Sequence, residues 1–414
     1  MTDALNVFYN SRPAGRLWLN DRREMNFQYS DQWISDPDAV PLSIRLPLRQ
    51  ESFDEGYARF FFANLLPEGD VRTLIARKIG VSERNDFELL KALGGDCAGA
   101  LSLWPEEPPA AQDNDYVRLT DKDMEGMISR MAGSPLLTSR DDLRLSLAGA
   151  QQKLPVLYKD GELYLPRGNS PSSHILKPSA PAFDFLSENE VFCMALAKKT
   201  GLRVPDAQLK IGAFNYALIE RYDRRKEPDG RLIRLHQEDF CQALGCGDTQ
   251  KYESEGGPGL KNCFDLLSEH STQPALDKQN LVQWVIFNLL IGNCDAHAKN
   301  VSMFLARDRY SLTPFYDLVS TRVYPSLSPK LAMKIGGQVR PEWITREHWE
   351  KFAKDAQIGM KAVIGALQDM KEKCPALAAE LLKEFRPGPD ISEALEKICR
   401  HMEAASTQLR GSCR

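Results

Sequence analysis

Hydrophobic positions along the chain change their period several times, and each change marks an element. From Asn280 to Ile291, the residues Leu281, Val282, Trp284, Val285, Ile286, Phe287, Leu289, Leu290 and Ile291 are apolar on nearly every side of a helix, as in a helix buried inside a domain. The run is shorter than the ~20 apolar residues that cross a bilayer, and Gly292 stops it. Asn293 to Asn300 is then strongly polar, and Val301 to Leu305 reads as an apolar strand. A turn at Ala306–Arg309 would fold 301–305 onto 310–313 and bring Asp317 back beside Asn300.

Upstream, Leu5–Tyr9 and Arg16–Leu19 flank a turn at Ser11–Gly15, and Met25–Tyr29 alternates as a third strand. Tyr57–Leu66 and Glu88–Leu93 read as helical and Ala100–Trp104 as extended, so residues 1 to about 104 read as a module of their own. Within it Leu65-Leu66-Pro67-Glu68-Gly69 reads as a helix end and turn, with a recognition loop as the alternative; little else there resembles chemistry. Residues 105–115, PEEPPAAQDND, are a linker by composition. Residues 116–222 hold strand patterns and one helix, and 223–414 are mainly helical. In the last third Arg346–Ala356, Gly359–Lys373, Pro375–Phe385 and Ile391–Leu409 carry apolar residues at i, i+3 and i+4, with Pro387–Asp390 separating the last two.

Composition narrows the class without naming it. With 414 residues, 43% hydrophobic and 27% charged, the chain has room for two or three globular domains. A net charge of −4 argues against unaided non-specific DNA binding, which depends on counterion release by Lys and Arg. No hydrophobic leader follows Met1 and no 18-residue apolar run occurs, so the expected setting is cytoplasmic, with no membrane partner. The 9 cysteines contain no C-x-x-C and the 6 histidines no H-E-x-x-H, which predicts free thiols and no structural transition metal.

Candidate chemistry starts at Asp295 and Asn300. Their D-x-x-x-x-N spacing places, in protein kinases, a carboxylate beside the acceptor hydroxyl and an amide oxygen on magnesium. The spacing alone is common by chance, and a loop Asp or turn Asp would explain Asp295 and Asp317 equally well. The succession of buried helix, polar loop, hairpin and second Asp is what favours the kinase reading. Earlier parts fit the same plan. Ala148-Gly149-Ala150-Gln151-Gln152-Lys153 joins two extended stretches within 143–158 and is either a phosphate-covering loop or a plain hairpin turn. Lys177 ends the short strand of His174–Pro178, and the helix starting near Ser187 offers Glu190 as its partner, unless Glu190 only closes an S-x-x-E capping box. Glu220, Arg221 and Tyr222 follow an apolar strand, where a hinge would hold adenine by its backbone.

Taken in order, LSLAGAQQKLPVLY, HILKP, IERYDRR, LHQEDFCQALG, KYESEGGPG, IGNCDAHAKN and LTPFYDL resemble the HipA family of bacterial serine/threonine kinases, the toxins of HipA–HipB toxin–antitoxin pairs. The likeness runs from the amino-terminal subdomain to at least Asp317. It implies an α+β, bilobal protein-kinase-like fold with an accessory subdomain (1–104), an ATP-binding lobe (116–222) and a helical lobe (223–414). It implies that Ala148–Lys153 covers the ATP phosphates, Lys177 binds them, and Glu220–Tyr222 is the hinge. By the same resemblance Asp295 takes the acceptor proton, His297, Lys299, Asn300 and Tyr316 lie at the nucleotide, Asn300 and Asp317 hold magnesium, and Ser146 is an autophosphorylation site. The implied partners are a HipB-like helix-turn-helix dimer, operator DNA through that complex, and a protein substrate such as glutamyl-tRNA synthetase, whose modification arrests growth and promotes persistence. A small-molecule phosphotransferase of the same lobe plan, or a catalytically idle corepressor, are the alternatives.

Overall fold

In the computed structural model, which describes residues 3–107, 115–131, 135–138, 147–179, 183–307, 309–385 and 388–412, the alternating amino-terminal segments do form strands. β1 (Ala4–Tyr9), β2 (Arg12–Leu19) and β3 (Met25–Tyr29) pair antiparallel, and β4 (Leu101–Trp104) returns to the free edge of β1. The first turn is Asn10–Ser11, with Asn10 at φ 55°, and not Ser11–Gly15 as expected. Pro13 and Gly15 already pair with Phe8 and Val7, and the register shifts between those two, which takes up Ala14. Between β3 and β4 lie α1 (Asp31–Ser35), α2 (Glu55–Phe62), α3 (Gly69–Ile79) and α4 (Asp86–Leu93). Of these, α1 and α3 are absent from the sequence reading. α3 is mostly polar, with only Val71, Ile75 and Ala76 buried, and its apolar stripe is too thin to stand out.

The second sheet has the order β5-β7-β6-β8-β10-β9, built from β5 (Tyr116–Leu119), β6 (Leu154–Lys159), β7 (Glu162–Pro166), β8 (His174–Pro178), β9 (Ala207–Lys210) and β10 (Tyr216–Glu220). α5 (Asp121–Ser129) follows β5, and α6 (Leu186–Thr200) packs across β9 and β10. Leu5, Leu17 and Phe27 of the first sheet and Leu154, Leu176 and Leu218 of the second belong to one buried apolar cluster. The accessory strands and the second sheet therefore share a core.

The helical lobe has its own core. A short hairpin of β11 (Arg224–Lys226) and β12 (Leu232–Arg234) leads to β13 (Gln237–Asp239), α7 (Phe240–Leu244), α8 (Leu260–His270) and α9 (Pro274–Ile291). α9 is the apolar helix expected from the sequence. Trp284 within it is 1% exposed and stacks on Phe315 at 5.8 Å, a packing whose removal by alanine costs about 3–5 kcal/mol. The expected hairpin is β14 (Ser302–Ala306) with β15 (Arg309–Leu312), and β13 adds to its other side. α10 (Arg346–Ala356), α11 (Met360–Phe385) and α12 (Pro389–Ser412) close the lobe. The two helices expected at 359–373 and 375–385 are one, because Val363, Leu367, Met370, Cys374, Ala378 and Leu381 form a single buried stripe against α6 and α9 that runs through Pro375. Burial on both sides of the proline holds the helix together despite one missing backbone bond. Among the described residues no helix is long and apolar enough to cross a membrane.

Candidate active site

A cleft of about 920 Å³ lies between the two cores. Its floor is the loop after α9. Gly292 ends that helix at φ 71°, and a Cβ there would stand 2.4 Å from His401 Nε2, so glycine alone lets the chain turn so close to α12. Beyond it the loop is pinned at its start, where Asn293 donates to Asn288 Oδ1 at 2.8 Å, the Cys294 amide to Thr321 Oγ1 at 2.8 Å and the Asp295 amide to Asn293 Oδ1 at 3.1 Å, and at its end, where the His297 amide donates to Asn300 Oδ1 at 3.2 Å. A turn of 3₁₀ helix, Ala298–Asn300, then leads into β14.

This scaffold brings the two acids and the lysine together. Lys177 Nζ donates to Glu190 Oε1 at 2.6 Å and to Asp317 Oδ1 at 2.8 Å, while Asn300 Nδ2 donates to the other Asp317 oxygen at 2.8 Å. Asp317 sits at φ 58° straight after the hairpin, a left-handed turn of the kind that collects at functional sites. The Lys177 side chain is 7% exposed and Glu190 fully buried, but the Asp317 side chain keeps 40% exposure toward the cleft. Burial alone would lower Lys177, yet Asp317 and Glu190 together raise it above the ordinary lysine range. Burial likewise works against the Asp317 carboxylate, and Lys177 and Lys153 overcome it and hold it well below the usual range. The result is an ionised acid that no neutral pH protonates, presenting oxygen to open space. Glu190 closes no capping box with Ser187, whose hydroxyl donates instead to the Lys177 carbonyl at 2.9 Å.

Asp295 is exposed at the mouth of the cleft, where its Oδ1 accepts the Tyr252 hydroxyl at 2.7 Å, and the Tyr252 ring meets His297 edge-on at 5.4 Å. His297 is buried, and its Nδ1 has no hydrogen-bond partner among the described residues. Ala148, Gly149, Ala150, Gln151, Gln152 and Lys153 line the opposite wall. Lys153 Nζ donates back to the Ala148 carbonyl at 2.5 Å, and Gly149 at φ 108° leaves the space this requires, since a Cβ there would stand 2.6 Å from Nζ. Burial first, then the Lys177 ammonium, lower Lys153 to about 8. Of the extended stretch expected before the loop only its end is described; Ser146 lies outside the described residues.

At the back of the cleft, Glu220, Arg221 and Tyr222 continue from β10. The Glu220 and Arg221 amides donate to Asp206 O at 2.8 Å and Ser173 O at 2.9 Å. Tyr222 stacks on Tyr316 at 5.4 Å, and the Tyr316 hydroxyl donates to Lys299 O at 2.7 Å. The Arg221 guanidinium turns away from the cleft, to Asp223, Ser172 and Asp96. The Lys299 ammonium also turns aside and donates to Asn64 at 2.8 Å and Glu68 at 2.9 Å.

Glu68, Asn64 and Asp96 belong to the accessory subdomain, where the sequence reading found little chemistry. The Leu65–Gly69 turn in fact lines the cleft: Pro67 bridges Gly149 in parallel and the Glu68 amide donates to Gly149 O at 3.1 Å. A signal was present, a lone acid between Pro and Gly after an apolar run, but nothing local says that its partners are lysines of the far lobe.

Known proteins resemble this chain over nearly its whole length. A model of the HipA-like C-terminal domain matches residues 145–378, and one of the HipA N-terminal domain matches 5–104. The Sinorhizobium fredii protein Y4mE is 41% identical over 386 residues, 92% of each chain. The serine/threonine-protein kinase toxin HipA of Shewanella oneidensis is 31% identical over 405 residues, 93% of this chain and 89% of that one. The structure of the Shewanella oneidensis toxin–antitoxin complex of HipA, HipB and operator DNA matches at a TM-score of 0.86 and 28% identity, covering 99% of this chain and 98% of that one. With both domain models matched and the fold shared over nearly its whole length, the chain belongs to the HipA family of serine/threonine-protein kinases.

Proposed function

We propose that this chain is the toxin of a HipA–HipB-type pair: an ATP- and magnesium-dependent serine/threonine kinase that phosphorylates a component of translation, such as a glutamyl-tRNA synthetase, and so arrests growth and promotes persistence in the cytoplasm. The single observation that carries this reading is the chain Glu190–Lys177–Asp317–Asn300 on the floor of a cleft with Asp295 at its mouth.

The residues fit the groups the reaction needs. Asp317 offers carboxylate oxygen to the cleft, the hard donor that magnesium takes, and Asn300, whose amide nitrogen donates to Asp317 and whose oxygen accepts the His297 amide at 3.2 Å, would join it through that oxygen's second lone pair. Lys153 and Lys177 supply positive charge where phosphates would lie, and the unpartnered His297 Nδ1 awaits a polar ligand. Bound magnesium would neutralise charge building on the phosphates. The protein's part is positioning. Lys177 is fixed by Glu190, the adenine would rest against the hinge backbone near Tyr222, and Asp295 orients the acceptor hydroxyl and takes its proton late in transfer. Ser146, two residues before the phosphate loop, is the proposed autophosphorylation site. A phosphate there adds about −1.5 to −2 charges and would repel the nucleotide, silencing the enzyme.

The Shewanella oneidensis HipA was solved with HipB and operator DNA, and with a net charge of −4 this chain would depend on a HipB-like dimer for its DNA recognition helices. To test the reading, the purified chain is incubated with γ-labelled ATP, magnesium and a cytosolic extract. We expect label on a small set of proteins, a tRNA synthetase among them, and on Ser146 by mass spectrometry. Label confined to small molecules, or none at all, overturns the proposal.

A further inference from the structure

Glu68 places one carboxylate between two lysines of the other lobe. Oε1 lies 2.9 Å from Lys299 Nζ and Oε2 accepts from Lys251 Nζ at 2.8 Å. Each lysine adjoins a residue at the candidate chemistry. Lys251 precedes Tyr252, whose hydroxyl is on Asp295; Lys299 precedes Asn300, whose amide is on Asp317. On its backbone side the same turn holds the phosphate loop through the Glu68 amide on Gly149 O at 3.1 Å and the Pro67–Gly149 bridge. All three walls of the cleft therefore meet at one residue of the accessory subdomain.

The setting makes Glu68 more than a surface ion pair. Its side chain is 11% exposed, those of Lys299 and Lys251 3% and 18%. Burial by itself would raise its carboxyl, but Lys299 and Lys251 hold it at about 2. Removing the charge leaves two cations largely shielded from water with no acid between them, so both segments must shift to find solvent or new partners. A shift of about 1 Å in reacting groups is enough to cost on the order of 10²-fold in rate.

We infer that Glu68 is a positioning residue for phosphoryl transfer: the Pro67–Gly69 turn of the accessory subdomain clasps the phosphate loop, the Tyr252 segment and the Asn300 segment in one register. This rests on the kinase reading of the cleft. Glu68 touches neither the acceptor nor the Lys177 pair directly, so its loss acts on alignment more than on nucleotide affinity.

The test compares wild type with Glu68→Gln and Glu68→Asp in the full-length protein, reading binding of a fluorescent ATP analogue with magnesium, transfer of γ-label to extract protein, and thermal midpoint. For Glu68→Gln we expect nucleotide affinity within about 3-fold of wild type and a kcat lower by roughly 10–100-fold, with Glu68→Asp, which keeps the charge, in between. Hydrogen exchange should rise together at residues 147–153, 250–257 and 293–300. An unchanged kcat, or a loss that follows nucleotide affinity or thermal midpoint in both variants, overturns the inference. If wild type transfers no label, the kinase reading fails on its own. The clasp then stands or falls by the exchange data, and unchanged protection of the three segments in Glu68→Gln refutes it.

Discussion

Asp96 and Asp317 make the same kind of interaction in two settings. Asp96 accepts from Arg224 at 2.8 Å, Arg234 at 2.9 Å, Arg221 at 3.3 Å and Ser172 at 2.7 Å. Asp317 accepts from Lys177 and Asn300, both at 2.8 Å. Burial opposes ionisation in each, and in each the neighbouring cations win, so both acids ionise well below the usual carboxylate range. Perturbed acidity therefore does not distinguish them. Exposure does: the Asp96 side chain is 1% exposed and Asp317 40%. Asp96 joins the accessory subdomain to the chain on either side of β10, with every oxygen used inside the protein. Asp317 has oxygen facing a cleft. A strongly shifted acid is a candidate for chemistry only where a ligand can reach it.

The contrast breaks or holds on two substitutions with opposite signatures. Of these two, Asp317→Ala should show the larger effect on transfer. Label transfer should fall by roughly 10²–10³-fold and magnesium-dependent nucleotide binding should weaken, while the thermal midpoint moves little because Glu190 still holds Lys177. Transfer assays and nucleotide titration with and without magnesium check this. Asp96→Asn should do the reverse. Taking away the acid shared by three buried guanidiniums, with Asp223 left to pair only Arg221 and Arg224, should cost about 3–5 kcal/mol of stability, read by denaturant unfolding, with transfer per folded molecule near wild type below the melting range. Its pH dependence follows from the lowered acidity. The contribution of Asp96 is present above its unfolded-state pKa of about 3.9 and is lost as pH falls toward the folded value, so Asp96→Asn should flatten the acid limb of the stability profile. If Asp96→Asn instead abolished transfer at full stability, the division between joint and site would be wrong.

The same contrast explains what could be read from the sequence. α9, its glycine stop, the polar loop and the hairpin that returns Asp317 to Asn300 are contiguous, and each has a local period or a turn residue that announces it. Lys177 and Glu190 were legible for the same reason, at the end of one short strand and the start of the next helix. Asp96 and Glu68 were not. Their partners lie in the other lobe, and a lone acid before a buried pairing looks like any surface acid. The continuity of α11 through Pro375 was lost similarly, because local propensity favours a break and only packing against α6 and α9 overrides it. Asn10 took the first turn because register in the sheet, invisible in the run of residues, outranked the glycine at 15.

The assignment of phosphoryl transfer to this cleft depends most on Asp295, which is exposed at the cleft mouth and accepts the Tyr252 hydroxyl. The direct measurement is nucleotide affinity and single-turnover label transfer for Asp295→Asn beside wild type. The account predicts magnesium–ATP affinity within about 3-fold of wild type, since Lys177, Asn300 and Asp317 are untouched, and transfer reduced by roughly 10²–10⁴-fold, the share general-base positioning supplies. Transfer at the wild-type rate by Asp295→Asn would contradict it.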